Sequence, residues 1–95
     1  MKYPSGTRWD GNVARTFGKA RHMALVKMLT EARENAGMTQ TELAEKLGEY
    51  QSFVARLESG QRRVDVVELI ELAEVLGFDA PKAVKALQLV DDKGS

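Results

Sequence analysis

The side chains best suited to chemistry in this sequence crowd into one stretch. Gln40, Gln51, Ser52, Arg56, Gln61, Arg62 and Arg63 all fall within residues 40–63. Amides, hydroxyls and guanidinium groups recognise partners through directional hydrogen bonds. The usual catalytic sets are missing. There is no cysteine, hence no thiolate nucleophile, no disulfide framework and no Cys-based zinc site. His22 is the only histidine and has no companions at metal-ligand spacing. No glycine-rich phosphate loop and no nucleophile beside a base can be found. The chain is expected to bind rather than catalyse, with no metal and no cofactor.

The elements that must hold these groups are helices. From about Lys19 to Ala36, Leu25, Met28, Leu29, Ala32 and Ala36 recur at helical spacing, and Gly37 is a natural stop. Thr39-Gln-Thr-Glu42 is a capping box opening a helix of about two turns through Leu43, Ala44 and Leu47, ended by Gly48. A third helix of similar length runs from about Gln51 to Glu58 and closes at Ser59-Gly60. Such short helices cannot persist alone and must be held by packing. Asp65-Val-Val-Glu68 is a second capping box. It opens a helix whose inward face is expected to be Val67, Ile70, Ala73 and Leu76, with Gly77 at its end. Asp79 caps a fifth helix, with Pro81 in its first turn and Val84, Leu87 and Val90 along it. No stretch alternates with period two for long enough to be a strand. The fold class is all-α.

Residues 40–59 form a unit. For two short helices to cross steeply, the first needs a small residue at the contact, Ala44, and the turn needs a residue tolerant of positive φ, Gly48. Leu43, Leu47, Val54 and Leu57 then point inward, leaving Gln51, Ser52, Ala55 and Arg56 outward. An exposed helix of this kind fits the major groove of DNA.

Length and charge agree with that reading. Ninety-five residues hold one domain, and 43% apolar with 29% charged residues is ordinary globular composition. No apolar run is long enough to span a bilayer and no cleavable leader is visible, which points to the cytoplasm. The formal charge is zero but polarised. Residues 1–30 carry six bases against Asp10 alone, residues 31–63 five bases against six acids, and residues 64–95 three bases against seven acids. A neutral total is compatible with a local basic surface. Residues 1–18, rich in Gly, Pro and polar groups, read as a flexible basic arm, 19–92 as the domain and 93–95 as a tail.

From about Leu25 to Phe78 the chain resembles the phage repressor and Cro-type (XRE) helix-turn-helix family. The resemblance rests on T-Q-T-E-L-A-E-K-L-G, on Q-S-F-V-A-R-L-E-S-G at the expected offset and on the later V-E-L-I-E-L-A-E-V-L-G. It implies a five-helix bundle of the lambda-repressor-like DNA-binding type, with double-stranded DNA as partner. Carried over, Gln40 is the glutamine that contacts a phosphate and braces the recognition helix. Gln51 is the first residue of that helix, where an amide can bond adenine N6 and N7 together. Ser52, Ala55 and Arg56 match groove-facing positions, Arg56 taking either a guanine or a phosphate. Arg33 and Glu58 match a structural ion pair, and Gln61, Arg62 and Arg63 lie where the family places backbone contacts. Tyr50 departs from the usual Thr, Ser or Pro, and Glu49 adds negative charge beside it.

A single small module gains limited affinity, so a homodimer on half-sites one helical turn apart is expected. Val84, Leu87, Leu89 and Val90 offer a surface for it. Tyr3, Trp9 and the bases of the arm either reach around DNA or pack as a tail. The function expected is a sequence-specific regulator, a repressor. The alternatives are an antitoxin-type regulator that also binds a toxin, and a protein-interaction module that has lost DNA binding.

Overall fold

Residues 19–91 are described by the computed structural model, and they form five helices and no strand. These are α1 (Lys19–Asn35), α2 (Gln40–Leu47), α3 (Gln51–Glu58), α4 (Val66–Leu76) and α5 (Ala80–Gln88). The expected arm, with Tyr3 and Trp9, and the tail lie outside the described residues.

The short helices are delimited by their caps. The Thr39 hydroxyl accepts from the Glu42 N–H at 3.0 Å while the Glu42 carboxylate accepts from the Thr39 N–H at 2.8 Å. Each partner satisfies one of the amides that a helix start leaves without an intrahelical acceptor. Asp65 and Glu68 repeat the arrangement at α4, with distances of 2.7 and 3.0 Å. Asp79 caps α5 through the Lys82 N–H. Gly48 ends α2 at φ 72°, and the Glu49 N–H reaches back to the Ala44 carbonyl at 2.9 Å, a Schellman closure. That left-handed residue turns the chain straight into α3.

The core gathers one or two residues from each of the first four helices: Leu29, Leu43 with Ala44, Val54 with Leu57, and Leu69 with Leu72. Packing is most extensive between α2 and α3. Ala44, almost fully buried, lets their backbones approach. Below them α1 supplies the long support, and α5 lies against α1 and α4.

The inward face of α4 keeps Ala73 and Leu76 from the sequence expectation but not Val67 and Ile70. Leu69, Leu72 and Ala73 are buried, whereas Val67 is 65% and Ile70 46% exposed. Nearly every position of Val66-Val-Glu-Leu-Ile-Glu-Leu-Ala-Glu-Val-Leu76 that is not glutamate is apolar. Two adjacent stripes therefore satisfy helical periodicity equally, and contact with α2 and α1 selects one. In α5 the buried residue is Ala83; Val84 is 45% exposed, and Val90 lies past the last helical residue. The Arg21 guanidinium of α1 donates to the Val90 and Gln88 carbonyls, placing positive charge at the negative end of α5.

Candidate nucleic-acid interface

Helix α3 begins without a side-chain cap. Tyr50 is extended (φ −85°, ψ 155°), accepts the Phe53 N–H on its carbonyl at 2.9 Å and projects its ring into solvent at 84% exposure. The helix is held instead from its sides. Val54 and Leu57 are buried and Phe53 half-buried, so the opposite face carries Gln51, Ser52 and Arg56, all exposed, with Ala55 half-buried. Gln51 with Ala55, and Ser52 with Arg56, are four residues apart and form two adjacent rows.

A continuous hydrogen-bonded chain runs from α1 to the start of α3. Arg33 donates to Glu58 through Nε at 2.7 Å and Nη2 at 3.1 Å, a fork-to-fork pair that is nearly buried on both sides. Its Nη1 donates to the Met38 carbonyl at 2.7 Å. Glu58 raises the Arg33 pKa above the ordinary arginine value, chiefly through their hydrogen bond. Gln40 donates from Nε2 to Glu58 Oε1 at 3.0 Å, and Gln51 donates from Nε2 to Gln40 Oε1 at 2.8 Å.

The direction of this chain follows from its root. An ionised carboxylate can only accept, so the Gln40 amide must present its NH2 group to Glu58. Its oxygen then faces Gln51, which must answer with a donor. Each amide nitrogen carries two hydrogens. Gln51 thus retains one N–H and its Oε1, the pair an adenine edge requires, and Gln40 retains one N–H.

Other residues named from the sequence are placed elsewhere. The Arg62 guanidinium meets Glu68 of α4 at 2.9 and 2.6 Å and lies 4.5 Å above the Phe53 ring. Glu68 is half-buried, and hydrogen bonds from Arg62 hold its carboxyl below the ordinary carboxylate range. Sequence reading found the Glu68 capping box but not its second partner. The signal was an arginine three residues before the N-cap. Arg63 is exposed and lines a groove of about 320 Å³ with Arg21, His22, Val64, Val84 and Leu87. His22 is structural: its Nε2 donates to the Gly60 carbonyl at 3.2 Å. Among the described residues no cluster of His, Asp or Glu could hold a metal ion, and no helix is long and apolar enough to cross a membrane.

Two comparisons match this arrangement. The helix-turn-helix family model matches residues 29–81, more than half of the chain. An XRE-family like protein from Pseudomonas syringae pv. tomato str. DC3000 has a solved structure that superposes with a TM-score of 0.72 at 41% sequence identity. The match covers 82% of this chain and 95% of that one. The chain belongs to the XRE family of helix-turn-helix proteins. No protein among the curated sequences matches it. As an XRE-family member the protein is a DNA-binding transcription regulator. Its motif is α2 and α3, joined by the Gly48–Tyr50 turn.

Proposed function

We propose that this XRE-family protein is a sequence-specific repressor that inserts α3 into the major groove of operator DNA in the cytoplasm, acting as a homodimer. The observation that carries this reading is the chain Arg33–Glu58–Gln40–Gln51, which leaves Gln51 with one acceptor and one donor directed by a charged root. Gln51 reads an adenine, Ser52 and Ala55 line the groove beside it, and Arg56 contacts a guanine or phosphate one turn on. Gln40 gives its remaining N–H to a phosphate. Arg63 supplies charge near the backbone.

A dimer is favoured by the apolar surface that the fold leaves uncovered. Leu89 is 83% exposed, and Val84 and Ile70 are about half exposed on the adjoining helices. Two copies related by a two-fold axis would set their α3 helices one DNA turn, about 34 Å, apart.

In vitro selection of duplex DNA by the purified protein, beside Gln51→Ala and at two salt concentrations, tests the reading. A palindromic motif that Gln51→Ala weakens is the expected result. Weak, salt-sensitive binding without a motif, equal in both proteins, would remove base reading from α3.

A further inference from the structure

Arg62 stands where family resemblance and sequence both point to a phosphate contact, yet its guanidinium is paired with Glu68 and lies over Phe53. Nη1 donates to Glu68 Oε1 at 2.9 Å and to the Arg63 carbonyl at 2.9 Å, and Nη2 donates to Glu68 Oε2 at 2.6 Å. Three of its five N–H donors are therefore engaged. Its Cζ lies over the Phe53 ring, 4.5 Å from the ring centroid. Its anchor has a second hold, because Glu68 Oε1 also accepts the Asp65 N–H of the α4 capping box.

We propose that Arg62 is a positioning residue for α3: clamped to Glu68 at the start of α4, it holds the Phe53 ring and so sets the roll of the recognition helix. The proposal rests on the reading of α3 as that helix. Phe53 and Gln51 sit two residues apart near the same end of α3, on roughly opposite sides. A roll that lets Phe53 slip swings Gln51 through the same angle. Gln51 is gripped on its own side by Gln40, so α3 is held from both flanks: by Arg33 and Glu58 through α1 and α2, and by Arg62 and Glu68 through α4. Lysine cannot replace arginine here, since a compact ammonium cannot pair with a carboxylate in bidentate fashion while also covering the ring.

Arg62→Lys and Glu68→Gln separate positioning from phosphate contact. Glu68→Gln keeps an oxygen for the Asp65 N–H but loses the bidentate partner, and it makes the protein more positive by one charge. Two readouts are taken: the Gln51 side-chain amide and Phe53 ring resonances of the free protein, and binding to a selected duplex and to random duplex across a salt series. Both variants are expected to move the Gln51 and Phe53 resonances. Each should weaken specific binding relative to random-duplex binding about fivefold, and Arg62→Lys, which keeps the charge, should leave random-duplex binding and the salt slope unchanged. Unmoved resonances in Arg62→Lys would overturn the proposal. So would tighter binding of all DNA by Glu68→Gln, together with a salt slope lowered by about one in Arg62→Gln, the mark of a lost phosphate contact. If the native protein selected no duplex, base reading by α3 would fall, while the resonances of the free protein would still decide whether Arg62 sets its roll.

Discussion

The α2–α3 motif and the α4–α5 half use their side chains in opposite ways. In the motif every large aliphatic residue is buried or partly buried, and two of its polar side chains, Gln40 and Gln51, are tied into a directed chain that ends at Gln51. In α4 and α5 apolar residues exceed what the core takes up, and Val67, Ile70, Val84 and Leu89 remain exposed. Two short helices have too little surface to spare any apolar contact, so their periodicity is strict and their free face is polar. The longer α4 can bury one stripe and still present another. In the reading proposed above, the polar, directional face meets DNA and the apolar face meets a second copy.

The same truncation in both halves is the strongest way to break this comparison. Leu57→Ala, in the fully packed motif, is expected to cost about 2–5 kcal/mol by urea denaturation, whereas Ile70→Ala, half exposed on α4, should cost under about 1 kcal/mol. Equal losses would mean that α4 is packed as tightly as α3. Next in size is Glu58→Ala, which leaves Arg33 and Gln40 without their acceptor. A loss of about 3 kcal/mol is expected, since removing one member of a nearly buried pair strands the other. Gln51→Ala leaves that root intact, so stability should change little while specific DNA binding falls by about 1–3 kcal/mol. A protein whose affinity responds to Glu58→Ala but not to Gln51→Ala would show that the chain serves folding alone.

Leu89→Lys tests the other half. The mass from size-exclusion chromatography with light scattering should fall from dimer to monomer, with the urea midpoint of the monomer hardly moved. A native protein already monomeric at tens of micromolar would sharpen the contrast differently, by removing the second copy as the cover for this face.

The smallest effect is on pH. Glu68 is held below the ordinary carboxylate value mainly by Arg62, and Glu42 mainly by the Thr39 backbone N–H. Because the folded values are the lower ones, this stability is fully present above the ordinary value of 4.5 and is lost as pH falls through the folded values. Acid titration of the urea midpoint should therefore decline below about pH 4.5, and Glu68→Gln should flatten part of that decline.

Much of this was legible beforehand in particular residues. Thr39 with Glu42, Asp65 with Glu68, and Asp79 with Pro81 mark helix starts because each capping bond spans three residues. The positive φ at Gly37, Gly48 and Gly77 is equally local. Arg62 was harder to read: its loop position suits a phosphate contact, and only the approach of α4 to α3 brings Glu68 and Phe53 to its guanidinium.

By itself, then, the sequence determined most of the elements: five helices, the capped starts of α2, α4 and α5, the glycine stops of α1, α2 and α4, a close α2–α3 contact at Ala44, and an outward α3 face bearing Gln51. Each depends on residues within a turn or two of one another, where backbone geometry and capping dominate. Tertiary structure alone decided which apolar stripe of α4 is buried, that Ala83 rather than Val84 packs inward in α5, and where the Arg62 guanidinium goes. Those outcomes depend on which neighbour arrives across the core, and periodicity within one helix holds no information about its neighbour.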